Sequence, residues 1–336
     1  MNVPVPWIDA ASLRRLVPPT VAVDALERAL REGLDPAAGP ARSVVDVAAG
    51  QLLLMPAQAP APADRPLGSG NGEVGVKVAT VAPGNPARGL PRIQGLYLLL
   101  DGDTLAPRAL VDAVELTVLR TAAVSALAAR HLAVPDARRL VVLGTGPQAR
   151  GHVQSLAAVR PIAEVTVVGR DAARRERLAA WCRGSGLRTS ALAATEPAAV
   201  EEQLAAADVV VAATTARDPL FDGTLVRDTA CVIAVGSHEP DARELDATLL
   251  RRSTVVVEDT GTALREAGDV VLAIGEGALR PADLVDLRAL VLGHRPEPGR
   301  PRVFKSVGMA WQDLVVASAA AAATAEATGR QAGEQA

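Results

Sequence analysis

A glycine-rich turn carries the clearest chemical signal in this 336-residue sequence. It follows a Val-rich apolar run and opens a helical pattern, and its residues are Gly144, Thr145, Gly146, Pro147, Gln148 and Ala149. Glycines at this spacing let the backbone approach a pyrophosphate, which then lies against unpaired N–H groups at the positive end of the helix. The pattern alone is a weak signal, but here both the strand before it and the helix after it match the required context. The turn therefore predicts a dinucleotide site.

Two residues at the end of the next predicted strand distinguish between the nicotinamide dinucleotides. Sites for NADH place Asp or Glu here, where the carboxylate accepts a hydrogen bond from the ribose 2′-hydroxyl. This sequence has Gly169 followed by Arg170. A guanidinium pairs with a 2′-phosphate in bidentate fashion, whereas a carboxylate would repel it. The pair favours NADPH over NADH, although the neighbouring Asp171 could turn toward the ribose.

Lysine is rare in this chain. Of the 35 Lys and Arg residues, only Lys77 and Lys305 are lysines, and the other 33 are arginines. Burial lowers the pKa of an ammonium readily, a property that a guanidinium lacks. Each lysine is therefore either retained for its chemistry or a chance survivor of a bias toward Arg. Lys77 lies in a predicted strand, and Arg120 lies in a predicted helix where the two predicted domains join.

The elements that must position these residues fall into two patterns. From residue 140 onward, short Val-rich runs alternate with helices, which is typical of a parallel sheet covered on both faces. The first two of these helices are predicted from Pro147 to Val159 and from Ala172 to Gly184. The first 120 residues instead predict a sheet with flanking helices and an exposed loop from Pro56 to Gly72. We therefore predict an α/β protein with a Rossmann-type, doubly wound parallel sheet domain over residues 121–300 and an α+β domain over residues 1–120.

Composition excludes several other classes of protein. A net charge of −3, with three Trp, one Tyr and two Phe, offers neither a basic surface nor a stacking platform for nucleic acid. The N-terminus lacks a signal-peptide pattern, and the longest apolar run, residues 314–322, is far too short to span a membrane. We expect a cytoplasmic protein without a membrane partner. Cys182 and Cys231 are too few for a disulfide framework or a zinc cluster, and no other cluster predicts a metal.

Six segments of the chain resemble one family. They are KVATVAP, LRTAAVSALAARHLA, LGTGPQARGHVQSL, ADVVVAATTARDPLF, VGSHEPDARELDATLL and VFKSVGMAWQDL. In this order and at these spacings they are similar to the ornithine cyclodeaminase and mu-crystallin family, over roughly residues 40–318. The resemblance implies that residues 1–120 bind the substrate and form a homodimer, that residues 121–300 bind the dinucleotide, and that a C-terminal helix within residues 301–336 returns to the first domain.

The resemblance also implies roles for individual residues. It places Arg42, Lys77 and Arg120 around the substrate carboxylate. The pyrophosphate turn matches at Gly144, Gly146, Gln148 and Ala149, and the remaining cofactor positions match at Thr121, Thr214 and Val235. Ser306 and Val307 match the segment beside the nicotinamide, where Ser306 belongs to the cofactor site and Val307 to the substrate site.

Two positions differ from the cyclodeaminase pattern. His238 lies two residues before Pro240, where a cyclodeaminase has an Asp that serves in the amine chemistry. Leu53 lies two residues before Met55, where a Glu would serve the distal amine of a diamine substrate. The branch of the family that reduces ketimines, including mu-crystallin and the pyrroline and piperideine carboxylate reductases, tolerates non-acidic residues there and commonly uses NADPH. The chain is more similar to that branch.

Together these residues lead us to expect an NADPH-dependent oxidoreductase that reduces the C=N bond of a small cyclic α-imino acid, such as Δ1-pyrroline-2-carboxylate or Δ1-piperideine-2-carboxylate. The expected catalytic residues are Lys77, Arg120 and His238. His238 either protonates the imine nitrogen or only lines the pocket or contacts the ribose. One alternative is an amino-acid dehydrogenase or reductive aminase for an open-chain 2-keto acid, and another is an ornithine cyclodeaminase. A third is a ligand-binding protein that binds NADPH without catalysis.

Overall fold

The computed structural model describes residues 5–59 and 72–334. Its strands are β1 (Trp7–Ile8), β2 (Ser43–Val47), β3 (Gly50–Ala59), β4 (Glu73–Val81), β5 (Ile93–Asp101), β6 (Pro107–Asp112), β7 (Arg139–Leu143), β8 (Glu164–Gly169), β9 (Arg188–Ala193), β10 (Val209–Ala212), β11 (Cys231–Ala234), β12 (Thr254–Val257), β13 (Leu284–Asp286) and β14 (Arg302–Lys305). Its α-helices are α1 (Ala10–Leu16), α2 (Pro19–Arg31), α3 (Ala113–Leu132), α4 (Pro147–Val159), α5 (Ala172–Gly184), α6 (Pro197–Ala206), α7 (Ala247–Arg252), α8 (Thr260–Glu266), α9 (Gly268–Gly275), α10 (Leu287–Val291) and α11 (Ala310–Glu334).

The chain divides into two compact units. The first contains the residues up to Arg120 and those from Met309 onward, and the second contains Thr121–Gly308. The second unit thus ends at Gly308 rather than at residue 300, where the sequence analysis places the boundary. The reason is that β14 pairs in parallel with both β11 and β12, inside the sheet of the second unit.

The first unit is built on a six-stranded sheet in the order β1-β6-β5-β4-β3-β2. Neighbouring strands from β2 to β6 are antiparallel, and β1 pairs in parallel with β6. Because side chains alternate between the faces of a strand, each strand presents one set of residues to each face. Lys77, Ala79, Tyr97 and Leu99 are buried on one face, and α11 packs against β3, β4 and β5.

The opposite face of this sheet is apolar and exposed. Val45 on β2, Val78 on β4 and Leu96 on β5 are between 37% and 48% exposed. Leu54 pairs with Val78, and Val78 with Leu96, so these side chains are direct neighbours across the strands. The strand pattern that hides Lys77 therefore leaves an apolar surface on the other side.

The second unit has the Rossmann-type parallel sheet that the sequence predicts. Its eight strands are ordered β13-β12-β14-β11-β10-β7-β8-β9, and every neighbouring pair is parallel. Chain order runs outward from β7 through β8 to β9 on one side and through β10 to β11 on the other. Ligands of such sheets bind where the order reverses, at the carboxyl ends of the strands. That point lies after Leu143 of β7 and Ala212 of β10.

Local sequence signals explain where the helices of this sheet begin. Pro147 is the first residue of α4, where its missing N–H costs nothing and its fixed φ suits the helix. Asp171 is the N-cap of α5, and its side chain accepts a hydrogen bond from the N–H of Arg174. Both helices begin and end at the residues that the sequence predicts.

One predicted element is wrong in part. The sequence predicts a loop from Pro56 to Gly72, but β3 continues through Pro56 to Ala59, pairing antiparallel with β4. Among the described residues β2 pairs with β3 only from Gly50 to Leu54, so β3 is an edge strand at Pro56, where a proline is tolerated. The rest of the predicted loop, residues 60–71, lies outside the described residues. Among the helices that the structure describes, none combines the length and apolar character needed to cross a membrane.

Candidate active site

Lys77 is buried in the first unit. It lies on the covered face of β4, and only 3% of the residue is exposed. Its Nζ lies 2.8 Å from Oδ2 of Asp313 on α11 and donates a second hydrogen bond, at 3.3 Å, to Oγ1 of Thr117 on α3. An ammonium has three N–H donors, so one remains beyond these two bonds. Lys77 is therefore held by two helices and retains a donor for a ligand.

Arg120 shares the same carboxylate. Its Nε donates to Oδ1 of Asp313 at 3.2 Å, and its Nη1 donates to Oε1 of Gln312 at 2.8 Å. Arg120 is 5% exposed. A guanidinium has five N–H donors in a fixed fork, so three remain beyond these bonds. The structure thus brings together two of the three cations that the sequence analysis assigns to a substrate carboxylate.

Several influences together set the charge of Lys77. The pKa of Lys77 is lowered to about 8, mainly by burial, and the positive charges of Arg120 and Arg42 act in the same direction. The Asp313 carboxylate opposes them and raises the pKa of Lys77. Near neutral pH the ammonium form therefore predominates, but its proton is held less tightly than that of an exposed lysine.

Arg42, the third predicted cation, precedes β2 and is partly exposed. Its charge acts on Lys77, which places it in the same electrostatic environment. Two cations bonded to one carboxylate, with Arg42 as a third cation acting on Lys77, give this group a net positive charge. We call Arg42, Lys77, Arg120 and Asp313 the cationic cluster. Its chemistry fits a small anionic group such as a carboxylate.

The glycine-rich turn of the second unit has the geometry of a phosphate site. Gly144 has φ +126°, and a Cβ there would lie 2.4 Å from the carbonyl oxygen of Ala213, so only glycine fits this close passage. A Cβ at Gly146 would meet no atom within 4 Å. Gly146 is the N-cap of α4 and provides no side-chain hydrogen bond to the helix. The first N–H groups of α4 can therefore bind an anion. These features fit the pyrophosphate of a dinucleotide.

The end of β8 favours a cationic ribose site. Arg170 is exposed directly after β8, whereas the Asp171 side chain caps α5. The bond from the Arg174 N–H to Asp171 Oδ1 is 2.8 Å long and lowers the pKa of that carboxyl. A side-chain cap of this kind stabilises the start of a helix. Turning Asp171 toward a ribose would break the cap, which weakens the alternative left open by the sequence.

A buried carboxylate binds the loops that follow β10 and β11. Glu244 Oε1 accepts hydrogen bonds from the backbone N–H and the hydroxyl of Thr214, each at 2.7 Å, and its Oε2 accepts from the N–H of Gly236 at 2.7 Å. Thr214 follows β10, and Gly236 follows Val235 at the end of β11. Burial raises the pKa of Glu244, and the charge of Lys305 opposes that rise. Two predicted cofactor positions, Thr214 and Val235, are thus linked through a residue that the sequence analysis did not identify.

Lys305, the second lysine, lies in the same network. Its Nζ lies 2.8 Å from Asp269 Oδ2 and donates to the carbonyl oxygen of Ser237 at 2.6 Å. Asp269 Oδ1 accepts from the backbone N–H groups of Glu244 and Leu245, both at 2.8 Å. Lys305 therefore supports the loop after β11, which carries Glu244, and both lysines of the chain are buried beside an aspartate.

Glu258 positions the segment that follows β14. Its Oε1 accepts from the Ser306 hydroxyl at 2.9 Å, and its Oε2 accepts from the N–H groups of Val307 and Gly308 at 2.8 and 2.9 Å. Glu258 is 2% exposed. Ser306 and Val307 are the residues predicted to lie beside the nicotinamide, whereas no role was predicted for Glu258, which binds both.

The histidines have different environments. His238 is exposed, in the loop after β11. His152 on α4 is fully buried, with Nε2 2.9 Å from Ser125 Oγ and Nδ1 2.8 Å from the Gln148 carbonyl oxygen. Because a carbonyl only accepts, Nδ1 carries the proton and Nε2 accepts from Ser125.

Thr121, a predicted cofactor residue, is the first residue of the second unit and lies on α3, where it is 7% exposed.

Comparison with known proteins assigns the family. The model of the ornithine cyclodeaminase/mu-crystallin family matches residues 16–326. The chain belongs to this family. Within it, the chain is 36% identical over 316 residues to the Δ1-pyrroline-2-carboxylate/Δ1-piperideine-2-carboxylate reductase of Azospirillum brasilense, covering 93% of each protein.

Two solved structures have the same fold as this chain. One is a Δ1-pyrroline-2-carboxylate reductase of Thermococcus litoralis in complex with NADH and L-proline, with a TM-score of 0.86, 27% identity, and coverage of 96% of this chain and 98% of that one. The other is an archaeal alanine dehydrogenase dimer with bound NAD, with a TM-score of 0.84, 26% identity, and coverage of 96% and 97%. The predicted fold class and family are confirmed.

Three further residues, all in the first unit, were not predicted from the sequence. They are Asp313, Gln312 and Thr117, which surround the two buried cations. Two buried cations need a counter-charge, but the chain has 38 Asp and Glu residues, and spacing alone does not select one. The adjacent Gln312 and Asp313 lie within the segment VFKSVGMAWQDL, which is the signal that could have identified them.

Proposed function

We propose that this protein is a nicotinamide-dependent reductase of small cyclic α-imino acids, which converts a substrate of the Δ1-pyrroline-2-carboxylate or Δ1-piperideine-2-carboxylate type to the cyclic amino acid. The observation that carries the proposal is the cationic cluster, in which Lys77 and Arg120 are buried and share Asp313. The name of the Azospirillum relative and the ligands of the Thermococcus structure support the same chemistry.

The first role of the cluster is to bind and orient the substrate. Arg42, Lys77 and Arg120 bind the carboxylate, which fixes the position of the adjacent imine carbon. Because Lys77 and Arg120 are buried and already bonded to Asp313, little side-chain entropy remains to be lost on binding. Correct orientation of two reactants contributes a large part of the rate in reactions of this kind.

Leu53 supports a cyclic substrate without a distal charge. It lies on β3, at the position where the cyclodeaminase pattern has an acid for a distal amine. An apolar side chain there offers no partner for an ammonium group. This departure disfavours ornithine as the substrate and suits the methylene groups of a ring.

A bound nicotinamide supplies a hydride for the imine carbon. The remaining requirement is a proton for the imine nitrogen, and we propose His238 as its donor, because imidazole exchanges protons near neutral pH. The proposed positions for the cofactor are the turn Gly144–Ala149 together with Thr121, Gly169, Arg170, Thr214, Val235 and Ser306. Val307 is the proposed neighbour of the substrate.

We propose that NADPH is preferred over NADH. Arg170 is exposed at the end of β8, and the adjacent acid, Asp171, caps α5. A guanidinium at this position forms charge-assisted bonds to a 2′-phosphate. The NADH in the Thermococcus structure belongs to that protein, whose sequence is 27% identical to this one.

We also propose a homodimer formed through the exposed apolar face of the first unit. Val78 and Leu96 lie on the two central strands of this face, and Val45 lies on the edge strand β2. Contiguous apolar surfaces of this kind mark interaction sites, because leaving them in water is unfavourable. The dimeric state named for the archaeal alanine dehydrogenase supports a second copy of this chain as the partner.

The decisive experiment mixes the purified protein with NADPH or NADH and chemically prepared pyrroline- or piperideine-2-carboxylate, and follows the nicotinamide absorbance. We expect rapid oxidation, faster with NADPH, with proline or pipecolate as the product. Lys77→Met is the site variant, and Arg28→Met, an exposed cation on α2, is its control. Oxidation only with pyruvate and an added amine would identify a reductive aminase. Ammonia release from ornithine would identify a cyclodeaminase, and NADPH binding without any turnover a binding protein.

A further inference from the structure

Asp313 contacts both buried cations of the cationic cluster. Its side chain is fully buried, and its two oxygens bind different partners: Oδ2 lies 2.8 Å from Lys77 Nζ, and Oδ1 lies 3.2 Å from Arg120 Nε. Lys77 is on β4, Arg120 on α3 and Asp313 on α11. One carboxylate therefore connects a strand and two helices of the first unit.

Gln312 completes the contact with Arg120. Its Oε1 accepts from Arg120 Nη1 at 2.8 Å and from the N–H of Met309 at 3.4 Å. Two adjacent residues of α11 thus occupy the Nε and one N–H of Nη1 of the same guanidinium. Because a guanidinium is planar, two bonds along one edge determine the direction of the rest of the group. The position of α11 therefore sets the orientation of the Arg120 donors that remain.

Asp313 also lies in the first turn of α11. The partial positive charge at a helix N-terminus stabilises a carboxylate there. The negative charge that faces Lys77 is therefore supported by its own helix as well as by two cations.

The charge on Lys77 depends on few groups. From α11 it faces Asp313, from α3 Arg120, and from the segment before β2 Arg42. Tyr97 is its partner on β5, and burial raises the pKa of that phenol well above 10, so Tyr97 stays neutral near physiological pH. Among these groups Asp313 is the only one that stabilises the ammonium electrostatically, while burial and two arginines oppose it.

We propose that Asp313, assisted by Gln312, is a positioning residue for the reaction: it holds Lys77 and Arg120 in the geometry that receives the substrate carboxylate, and it supplies the counter-charge that keeps Lys77 cationic. The inference rests on the proposed function, because the reaction is what the positioned cations serve. The two carboxylate oxygens of Asp313 face Lys77 and Arg120, so we assign its effect on catalysis to those two cations.

The lysine content of the chain allows a direct test that is independent of activity. Lys77 and Lys305 are the only lysines, so a protein labelled with ¹³C at the lysine ε carbon gives two signals. Lys77→Arg assigns them by the loss of one signal. In the wild-type full-length protein we expect the Lys77 signal to titrate at about pH 8. In Asp313→Asn we expect the Lys77 signal to titrate at least about one pH unit lower. The chemical shift of the Lys305 signal, measured at one pH, should be the same as in the wild type.

Steady-state kinetics then connect this charge to the reaction. For Asp313→Asn we expect kcat/KM for the imino acid to fall at least about 100-fold, mainly through KM, since removing one partner of a buried pair is strongly unfavourable. We expect the alkaline limb of its pH profile to move in the same direction as the Lys77 titration. The dissociation constant of NADPH, measured by nicotinamide fluorescence, should change less than about 3-fold, which also shows that the second unit is folded.

Two further variants separate geometry from charge. Asp313→Glu retains the charge, so its Lys77 signal should titrate near that of the wild type while kcat/KM falls. Asp112→Asn is the matched control: Asp112 accepts from the Glu115 N–H at the start of α3, outside the cluster, and asparagine also serves as a cap. We expect it to keep the wild-type pH profile. If Asp313→Asn does not fold, Asp313→Glu carries the test of geometry, and wild-type kinetics in that variant overturn the proposal.

The proposal is also overturned if Asp313→Asn folds and binds NADPH but leaves the Lys77 titration where it is in the wild type. Failure of the proposed function has a different signature. In that case the wild-type protein reduces none of the imino acids, while the shift of the Lys77 signal in Asp313→Asn still reports whether Asp313 supplies the counter-charge.

Discussion

Lys305 Nζ and Asp269 Oδ2 lie 2.8 Å apart in the second unit, and both side chains are at least 98% buried. The pair supports the loop that follows β11, because Lys305 also binds the Ser237 carbonyl and Asp269 binds the backbone of Glu244 and Leu245. A buried charge is tolerated only when it is paired and hydrogen-bonded. This relationship explains why a chain with so few lysines has one here.

Replacing Lys305 should destabilise the fold. In Lys305→Met, Asp269 keeps its charge in an apolar environment without a partner, and we expect a loss of about 3–5 kcal/mol in the free energy of unfolding. Urea denaturation followed by circular dichroism measures it. The double variant Lys305→Met, Asp269→Asn should recover part of the loss, because no charge remains uncompensated. Equal stability of the single and double variants would contradict this role for the pair.

Acid should destabilise the protein through His152. Burial lowers the pKa of His152 from 6.5 to about 4, because the charged imidazole would lose its hydration. Between these values the unfolded chain binds more protons than the folded one, so this contribution to stability is present above pH 6.5 and is lost as the pH falls toward 4. Between pH 6.5 and pH 4 the free energy of unfolding should fall by about 3 kcal/mol because of this residue.

The measurement compares urea denaturation of the wild type and His152→Gln between pH 4 and 7. We expect the variant to be less stable at pH 7, because it lacks the hydrogen bonds that His152 makes with Ser125 and with the Gln148 carbonyl. On acidification the variant should lose less stability than the wild type. His294→Gln, at an exposed position, serves as the control and should follow the wild type. Parallel curves for the wild type and His152→Gln would show that another group controls the acid response.

Cofactor preference should depend on Arg170. In Arg170→Ala a 2′-phosphate loses its charge-assisted partner, while the hydroxyl of NADH loses little. We expect the ratio of kcat/KM for NADPH to that for NADH to fall about 10- to 100-fold. Initial rates with both cofactors provide the ratio. Arg251→Ala removes an exposed arginine of α7 and should leave the ratio unchanged, whereas an unchanged ratio in Arg170→Ala would assign the preference to other residues.

The role of His238 can be measured in single turnovers. If His238 donates the proton to the imine nitrogen, His238→Ala should slow the chemical step about 10²- to 10⁴-fold and remove the corresponding limb from the pH profile. Stopped-flow absorbance with enzyme in excess isolates that step. His294→Ala is the control. A normal rate with a raised KM would mean that His238 only lines the substrate or ribose site.

The exposed apolar face should control oligomeric state. Val78 lies at the centre of this face, between Leu54 and Leu96. An aspartate introduced there would be desolvated at an interface, so Val78→Asp should convert a dimer to a monomer in analytical ultracentrifugation. Val21→Asp, which introduces the same charge at an exposed position on α2, should remain dimeric. A dimeric Val78→Asp protein would place the interface elsewhere.

Much of the second unit was predictable from local patterns. The turn from Gly144 to Ala149 requires a close approach between backbone segments, and short Val-rich runs require burial on both faces. Both requirements act within about twenty residues, so they can be recognised in the amino-acid sequence. The helices Pro147–Val159 and Ala172–Gly184 have the bounds that the sequence predicts. In contrast, β14 lies between β11 and β12, although it follows both in the chain.

The amino-acid sequence by itself determined the fold class, the family, the dinucleotide turn and the types of charge at the substrate position. Tertiary structure decided which acids accompany those charges. Asp313 lies 236 positions from Lys77, and Glu258 lies 48 positions from Ser306. A buried cation requires a carboxylate, but electrostatic attraction depends on distance in space, and only the folded chain sets that distance.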